Sequence, residues 1–223
     1  MKTSVAPDPN PQAAAATPES RCGDFIVVFG GGASPIPVRE RGGEWSLEVG
    51  GPGWSLYSHP PSAGWPGFPM RAVASGAWRL WRIGESYGAP ADQDRFLLEI
   101  ASAKRPSGDL NGHLLLLGWN ADEQRWHVWT DRFGTVHVYR GSRGTKAAIG
   151  TFFPAVASAA GSARQLDWAG LAGYFALGFF PGTRTFFEDV RIQRPATHAV
   201  FDRSGQPVVE ERYWSWRHEP DSR

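Results

Sequence analysis

Apolar and polar residues alternate along most of this chain, and a period of two marks strands that bury one face. Such runs cover 25–29, 45–49, 54–58, 77–83, 113–119, 125–130, 136–140, 146–151, 198–202 and 208–214. The first, Phe25-Ile26-Val27-Val28-Phe29, is apolar throughout and reads as a core strand. Two pairs of runs predict hairpins. One joins 126–129 to 136–139 through Asp131-Arg132-Phe133-Gly134. The other turns at Asp202-Arg203-Ser204-Gly205, with Gly205 free to take a positive φ.

The period changes in three places. Residues 90–104 carry Phe96, Leu97, Ile100 and Ala101 at helical spacing, with Asp92 placed as N-cap. Residues 167–177 carry Leu171, Ala172, Phe175 and Ala176 on one side, capped by Asp167 and stopped by Gly178. A short helix is predicted over 154–160. Residues 30–76 hold many of the glycines and prolines and read as loop-rich. Many antiparallel strands with few helices predict an α+β layered domain, not a doubly wound sheet.

Charge and composition narrow the picture. A net charge of +1 over 223 residues gives no field to recruit nucleic acid or an anionic membrane. No apolar run of about 18 residues is present, so no helical membrane span is predicted. The single cysteine excludes an internal disulfide framework and a cysteine-based zinc site, and fits a cytoplasmic, reducing location. Residues 1–21 have four consecutive alanines and four prolines but no apolar signal region, and read as a disordered tail or propeptide. The expected organisation is this tail, a domain over 22–216 and a C-terminal tail over 217–223. Eleven tryptophans fit a packing role, with a stacking platform for sugar or base as the alternative.

Candidate chemistry centres on Cys22. A thiol at the head of a core strand is either a nucleophile or a small buried hydrophobe. His113, His127 and His137 lie in strands, lack the i, i+4 helical spacing of a zinc motif, and read as packing or surface residues. Asp131-Arg132 reads as an ion pair or turn anchor. Gly30-Gly31-Gly32 lacks the G-x-G-x-x-G pattern and reads as a turn.

Six motifs in order carry a resemblance. They are Leu110-Asn111-Gly112 with the strand to Asn120, Thr130-Asp131-Arg132-Phe133-Gly134, Thr151-Phe152-Phe153-Pro154, Leu166-Asp167 to Gly178, Thr185-Phe186-Phe187-Glu188, and Arg212-Tyr213-Trp214. Together they resemble the latter part of the glutaminase domain of asparagine synthetase, a class II amidotransferase with an N-terminal nucleophile. The resemblance implies a four-layer αββα sandwich of two antiparallel sheets, as in N-terminal-nucleophile (Ntn) hydrolases. It implies a catalytic Cys22, since Cys22-Gly23 resembles the family's opening dipeptide. In that chemistry the thiolate attacks the glutamine amide, ammonia leaves, and a thioester remains. A free α-amine, with pKa near 8, relays the proton.

The resemblance also exposes departures. Cys22 is internal, so its amide nitrogen is no base until residues 1–21 are removed. Ile83-Gly84-Glu85-Ser86-Tyr87-Gly88 stands where the family has N-G-E-I-Y-N, so Ile83 replaces an oxyanion donor worth roughly 2.7–4 kcal/mol. Gly84 and Glu85 keep the family residues for substrate binding. Asp92 or Asp94 stands for the family's aspartate, Asp94 being the one assigned to substrate. Arg71 is a poor match for the family's carboxylate-binding arginine. No S-G-G-x-D-S loop is present, so ATP and Mg are expected only on a partner, an ATP-pyrophosphatase synthetase domain. The sequence therefore predicts a degenerate scaffold subunit for such a synthetase, or a glutaminase activated by processing. No cofactor is expected in this chain.

Overall fold

Alternation does build sheets here, but the chain changes sheet more often than adjacent runs suggest. The structure is a computed structural model and describes residues 20–30, 44–88, 92–162 and 165–216. Thirteen strands form among the described residues. They are β1 (Ser20–Cys22), β2 (Asp24–Phe29), β3 (Ser46–Gly51), β4 (Trp54–His59), β5 (Phe68–Ser75), β6 (Trp78–Ser86) and β7 (Gly112–Asn120). The rest are β8 (Arg125–Thr130), β9 (Tyr139–Arg143), β10 (Lys146–Gly150), β11 (Val190–Ile192), β12 (Thr197–Phe201) and β13 (Pro207–Arg212). The helices are α1 (Gln93–Ala101), α2 (Phe153–Ala159) and α3 (Trp168–Leu177). One sheet has the order β1-β5-β6-β7-β8-β12-β13, and the other β11-β9-β10-β2-β4-β3. Every pairing between these strands is antiparallel, which bears out the α+β class.

Each sheet turns one apolar face toward the other. Phe25, Val27 and Phe29 of β2, Trp54 and Leu56 of β4, and Ile149 of β10 meet Trp81 and Ile83, Leu115 and Leu117, and Trp126 and Val128. Trp126 is the centre of this layer. Its ring lies edge-on to Trp54 at 4.8 Å and stacks on Trp81 at 5.7 Å. Each such aromatic pair adds about 0.5–1.5 kcal/mol beyond area burial. The packing role expected of the tryptophans is thus seen for Trp54, Trp81, Trp119 and Trp126.

The helices cover outer faces. Phe96, Leu97 and Ile100 of α1 pack on Leu80, Leu114 and Leu116. Ala155, Val156 and Ala160, in and after α2, pack on Ile26, Tyr57, Ala148 and Val190. Asp92 caps α1 by accepting from the Arg95 amide at 3.0 Å. Asp167 caps α3 in the same way at Gly170, and Gly178 ends it at φ +78°.

Three expectations need correction. The first predicted hairpin does not form. β8 pairs with β7 and β12, whereas β9 belongs to the other sheet. Residues 131–138 are a crossing between sheets, and Val136 and Val138 alternate because they fill the space between them. Asp131, only 2% exposed, anchors this crossing by accepting from the Phe133 and Thr135 amides and the Thr135 hydroxyl. Next, the loop-rich stretch conceals β5, whose Pro69 and half-buried residues blur its pattern. Finally, the tail does not reach Arg21, because Ser20 and Arg21 pair with Met70 and Pro69 in β1. The remainder of that tail, Gly31, Gly32, Pro90 and 217–223 lie outside the described residues. The second hairpin is as expected, with the Gly205 amide bonded to Asp202 O at 3.0 Å.

Replacing Asp131 by Ala leaves the Phe133 and Thr135 amides and the Thr135 hydroxyl without their acceptor and empties a buried position. We expect a loss of about 2–4 kcal/mol in urea unfolding, and less for Asp131→Asn. A loss below about 0.5 kcal/mol would show that the crossing does not depend on this carboxylate.

Candidate functional site

Cys22 lies where the chain first changes sheet. β1 ends at Cys22 in one sheet and β2 begins at Asp24 in the other. Only Gly23 separates them, and its amide bonds His59 O at 2.8 Å. The return crossing, 60–67, passes directly alongside. A Cβ on Gly23 would stand 2.5 Å from Pro60 O, and one on Gly67, at φ +70°, would stand 2.6 Å from Cys22 O. The two glycines let two backbone segments clasp the thiol-bearing residue.

The thiol itself is sealed. Cys22 is 1% exposed and packs within the inter-sheet core. Its Sγ donates to Asp24 O at 3.0 Å. Burial, followed by the field of Asp24, pushes its pKa up to about 12. The peptide bond to Arg21 is held as well, since Arg21 Nη1 donates to Pro66 O and Gly67 O at 3.1 Å.

The polar groups beside this thiol were scarcely legible in the sequence. Asp24 is 9% exposed and accepts from Thr151 Oγ1 at 2.9 Å. That same hydroxyl accepts from the Phe25 amide at 3.1 Å. His59 is buried, and its Nδ1 lies 2.7 Å from Pro60 O. The available signal was a lone carboxylate heading an otherwise apolar strand.

The other candidates separate into two groups. Ile83 shares the inter-sheet core with Cys22, two strands away across β5. Gly84 has φ +96°, and a Cβ there would stand 2.1 Å from His113 O, so close approach of β7 already demands glycine. Glu85 pairs with His113 in register and is exposed. Asp94 is elsewhere. Met70 and Ala72 pack into the inter-sheet core, so Arg71 between them points to the opposite face. There it grips Asp94 of α1 through both carboxylate oxygens, at 2.6 and 2.8 Å. The structure thus unites Arg71 with Asp94 but sets that pair across the sheet from Cys22.

A second titratable cluster sits on the α1 side, at β8 and β12. His127 Nδ1 lies 3.0 Å from His198 Nε2, and His127 Nε2 lies 3.3 Å from Glu123 Oε2. The His198 ring stacks on Trp129 at 4.3 Å. Burial moves both imidazoles down to about 4, helped at His127 by Arg125 and at His198 by His127. Burial and Arg125 therefore outweigh Glu123. His127 is a packing residue as expected, while His113 and His137 are exposed. Among the described residues no group of three or more ligating side chains could hold a metal. No helix among them is long and apolar enough to cross a membrane.

Unfolding releases these two rings to protonate near pH 6.5, whereas folded they resist until about 4. Stability is therefore full above pH 6.5 and is lost as pH falls toward 4. We expect each ring to contribute about 2–3 kcal/mol of loss by roughly pH 4.5. Urea unfolding at several pH values should show this slope, and His127→Gln with His198→Gln should flatten it. An unchanged slope in the double variant would contradict the assignment.

No protein-family model matches the sequence. No curated protein matches it. Among solved structures the chain is similar to one titled the structure of the allosteric regulatory enzyme of purine biosynthesis, with 11% identity and a TM-score of 0.41. That likeness covers 87% of this chain and 43% of the other, so this chain spans less than half of that enzyme's length.

Proposed function

We propose that this chain is an asparagine synthetase-like, glutaminase-type domain whose thiol is silent in the intact chain. It acts as a scaffold subunit for a separately encoded, ATP-dependent, amide-forming synthetase domain. The sheets and their covering helices α1 and α2 are then the four layers of an αββα sandwich. ATP and Mg belong to the partner, and no residue of this chain is assigned to them.

One observation carries the reading. Cys22 stands at the inter-sheet crossing, at the head of the first core strand, yet it is sealed there. With a pKa of about 12, its thiolate fraction near neutral pH is on the order of 10⁻⁵, against a few per cent for a free thiol. Its nitrogen is an amide bonded to Arg21 and cannot accept the proton that attack on glutamine would release. Ile83, 2% exposed, offers no hydrogen bond to an oxyanion. All three defects raise the barrier to the same event, attack of the sulfur on the amide carbonyl to form the tetrahedral intermediate.

A second reading rests on where Cys22 stands. Removal of residues 1–21 would give it a free α-amine. The cost is the loss of β1 pairing to β5 and of both Arg21 hydrogen bonds. In that state Cys22 would attack glutamine, with Gly84 and Glu85 as substrate contacts. Asp94, held by Arg71 on the opposite face of the first sheet, would not reach it.

Ammonia release from glutamine tests both readings. The full chain should stay at background, with no difference between wild type and Cys22→Ala. A chain beginning at Cys22 should gain at most a trace, raised about 100- to 1,000-fold by Ile83→Asn if the oxyanion position is correctly assigned. Cys22-dependent ammonia release by the full chain would overturn the scaffold reading. Robust release by the shortened chain alone would establish the second.

A further inference from the structure

A cleft of about 650 Å³ opens on the outer face of the first sheet, beside the C-terminal end of α1. That is the size of an ordinary small-molecule site. Its walls are Trp78 of β6, Glu123, His127 of β8, His198 of β12, Glu211 of β13 and the turn that follows α1. Cys22 lies behind the sheet, in the inter-sheet core.

The two imidazoles form one array whose protons are fixed from one end. Their centroids are 5.3 Å apart and their planes 21° apart, with His127 Nδ1 3.0 Å from His198 Nε2. The rings therefore lie end to end and share one N–H···N hydrogen bond. Nitrogens turned toward each other do not converge on a metal ion. His127, with 8% of its side chain exposed, turns Nε2 toward Glu123 Oε2 at 3.3 Å without completing a hydrogen bond. A bare nitrogen there would face an anionic oxygen, so Nε2 keeps the proton. His127 Nδ1 is then the acceptor and His198 Nε2 the donor, which leaves His198 Nδ1 bare. Both rings are neutral near pH 7, because burial moves them down to about 4.

The bare nitrogen meets a second acceptor. The two nitrogens of an imidazole point apart, so His198 Nδ1 turns from β8 toward β13, where the exposed Glu211 is its register partner. Among the described residues none donates to Nδ1, and Glu211 makes no ion pair with His198. Two acceptors thus stand side by side with no protein donor between them. The other walls have the same character. α1 ends here with no basic residue in its last turn, so its negative dipole end faces the cleft. Arg105 is spent on Glu99 and Asp109, and Arg125 is not part of the wall. Lys104, exposed at the rim, is the uncommitted cation among the described lining residues. The half-buried Trp78 adds an indole ring, a surface that attracts organic cations. A ligand that carries N–H donors and positive charge on an apolar body matches all of these groups.

We propose that this cleft binds a small organic ammonium ion, which donates to His198 Nδ1 and to Glu211 and rests against the Trp78 ring. Glu123 and His127 are positioning residues, acting through the tautomer of His198. The site holds whether or not Cys22 is ever a nucleophile. The test is titration of the full chain with butylammonium chloride near neutral pH, followed by the nitrogen chemical shifts of the imidazoles and the indole N–H of Trp78. Before titration, His198 should carry its proton on Nε2 and none on Nδ1, and Glu123→Gln should mix the two tautomers. Saturable shifts are expected at His198 and Trp78, whereas butanol, sodium butyrate and potassium chloride should give none. Glu211→Gln, at an exposed edge position, should keep the circular dichroism of the wild type and weaken binding by about tenfold or more. A proton on His198 Nδ1 in the free chain, or no saturable shift up to about 100 mM, would overturn the proposal. An equal response to butanol or potassium chloride, or undiminished binding by Glu211→Gln, would overturn it as well.

Discussion

Two sheets that bury one face against each other can be joined only where the chain crosses from one to the other. Four such crossings are described, and they associate in pairs. Residues 22–23 pass against 60–67, through Gly23, Pro60 and Gly67. Residues 131–138 pass against 193–196, with Gln193 N bonded to Val138 O at 2.7 Å and Ala196 N to Asp131 O at 2.8 Å. A crossing must bring backbone through an apolar gap, so its polar groups need partners inside the protein. Neighbouring crossings supply those partners to each other. The register of both sheets, and with it the tryptophan core, depends on these two junctions.

Cys22 inherits its properties from the first junction. It is an inter-sheet residue because β1 and β2 lie in different sheets, and it is buried because the return crossing closes over it. Desolvation then favours the thiol over the thiolate, and donation to Asp24 O occupies the proton. The same β1 that positions the sulfur also ties up its nitrogen. The residues before Cys22 therefore fix both its burial and its peptide nitrogen.

Much of this was legible in the sequence, for identifiable reasons. β2, β4, β7, β8 and β10 were readable because burial of one or both faces leaves a clean apolar pattern. The caps Asp92 and Asp167 were readable because short side chains at helix starts answer a local need. Crossings were not readable. Val136 and Val138 alternate like a strand, yet they alternate between a filled gap and solvent. β5 escaped notice because it is half-buried and carries Pro69. Periodicity located α3 but not the direction of its apolar side, which is exposed at Trp168 and Phe175. At the candidate site, Cys22 and Ile83 were found in sequence, whereas the separation of Asp94 from Cys22 follows from which side of the first sheet α1 covers.

The central claim is that the fold itself silences Cys22, and the most direct measurement is titration of that thiol in the intact chain. The thiolate can be followed by its ultraviolet absorbance or by the Cβ chemical shift of Cys22, with urea-unfolded protein as reference. The unfolded thiol should titrate near 8.5. The folded chain should show no thiolate until well above pH 10, consistent with a pKa of about 12. A folded pKa at or below about 8 would mean that the junction activates the sulfur, and would contradict this account.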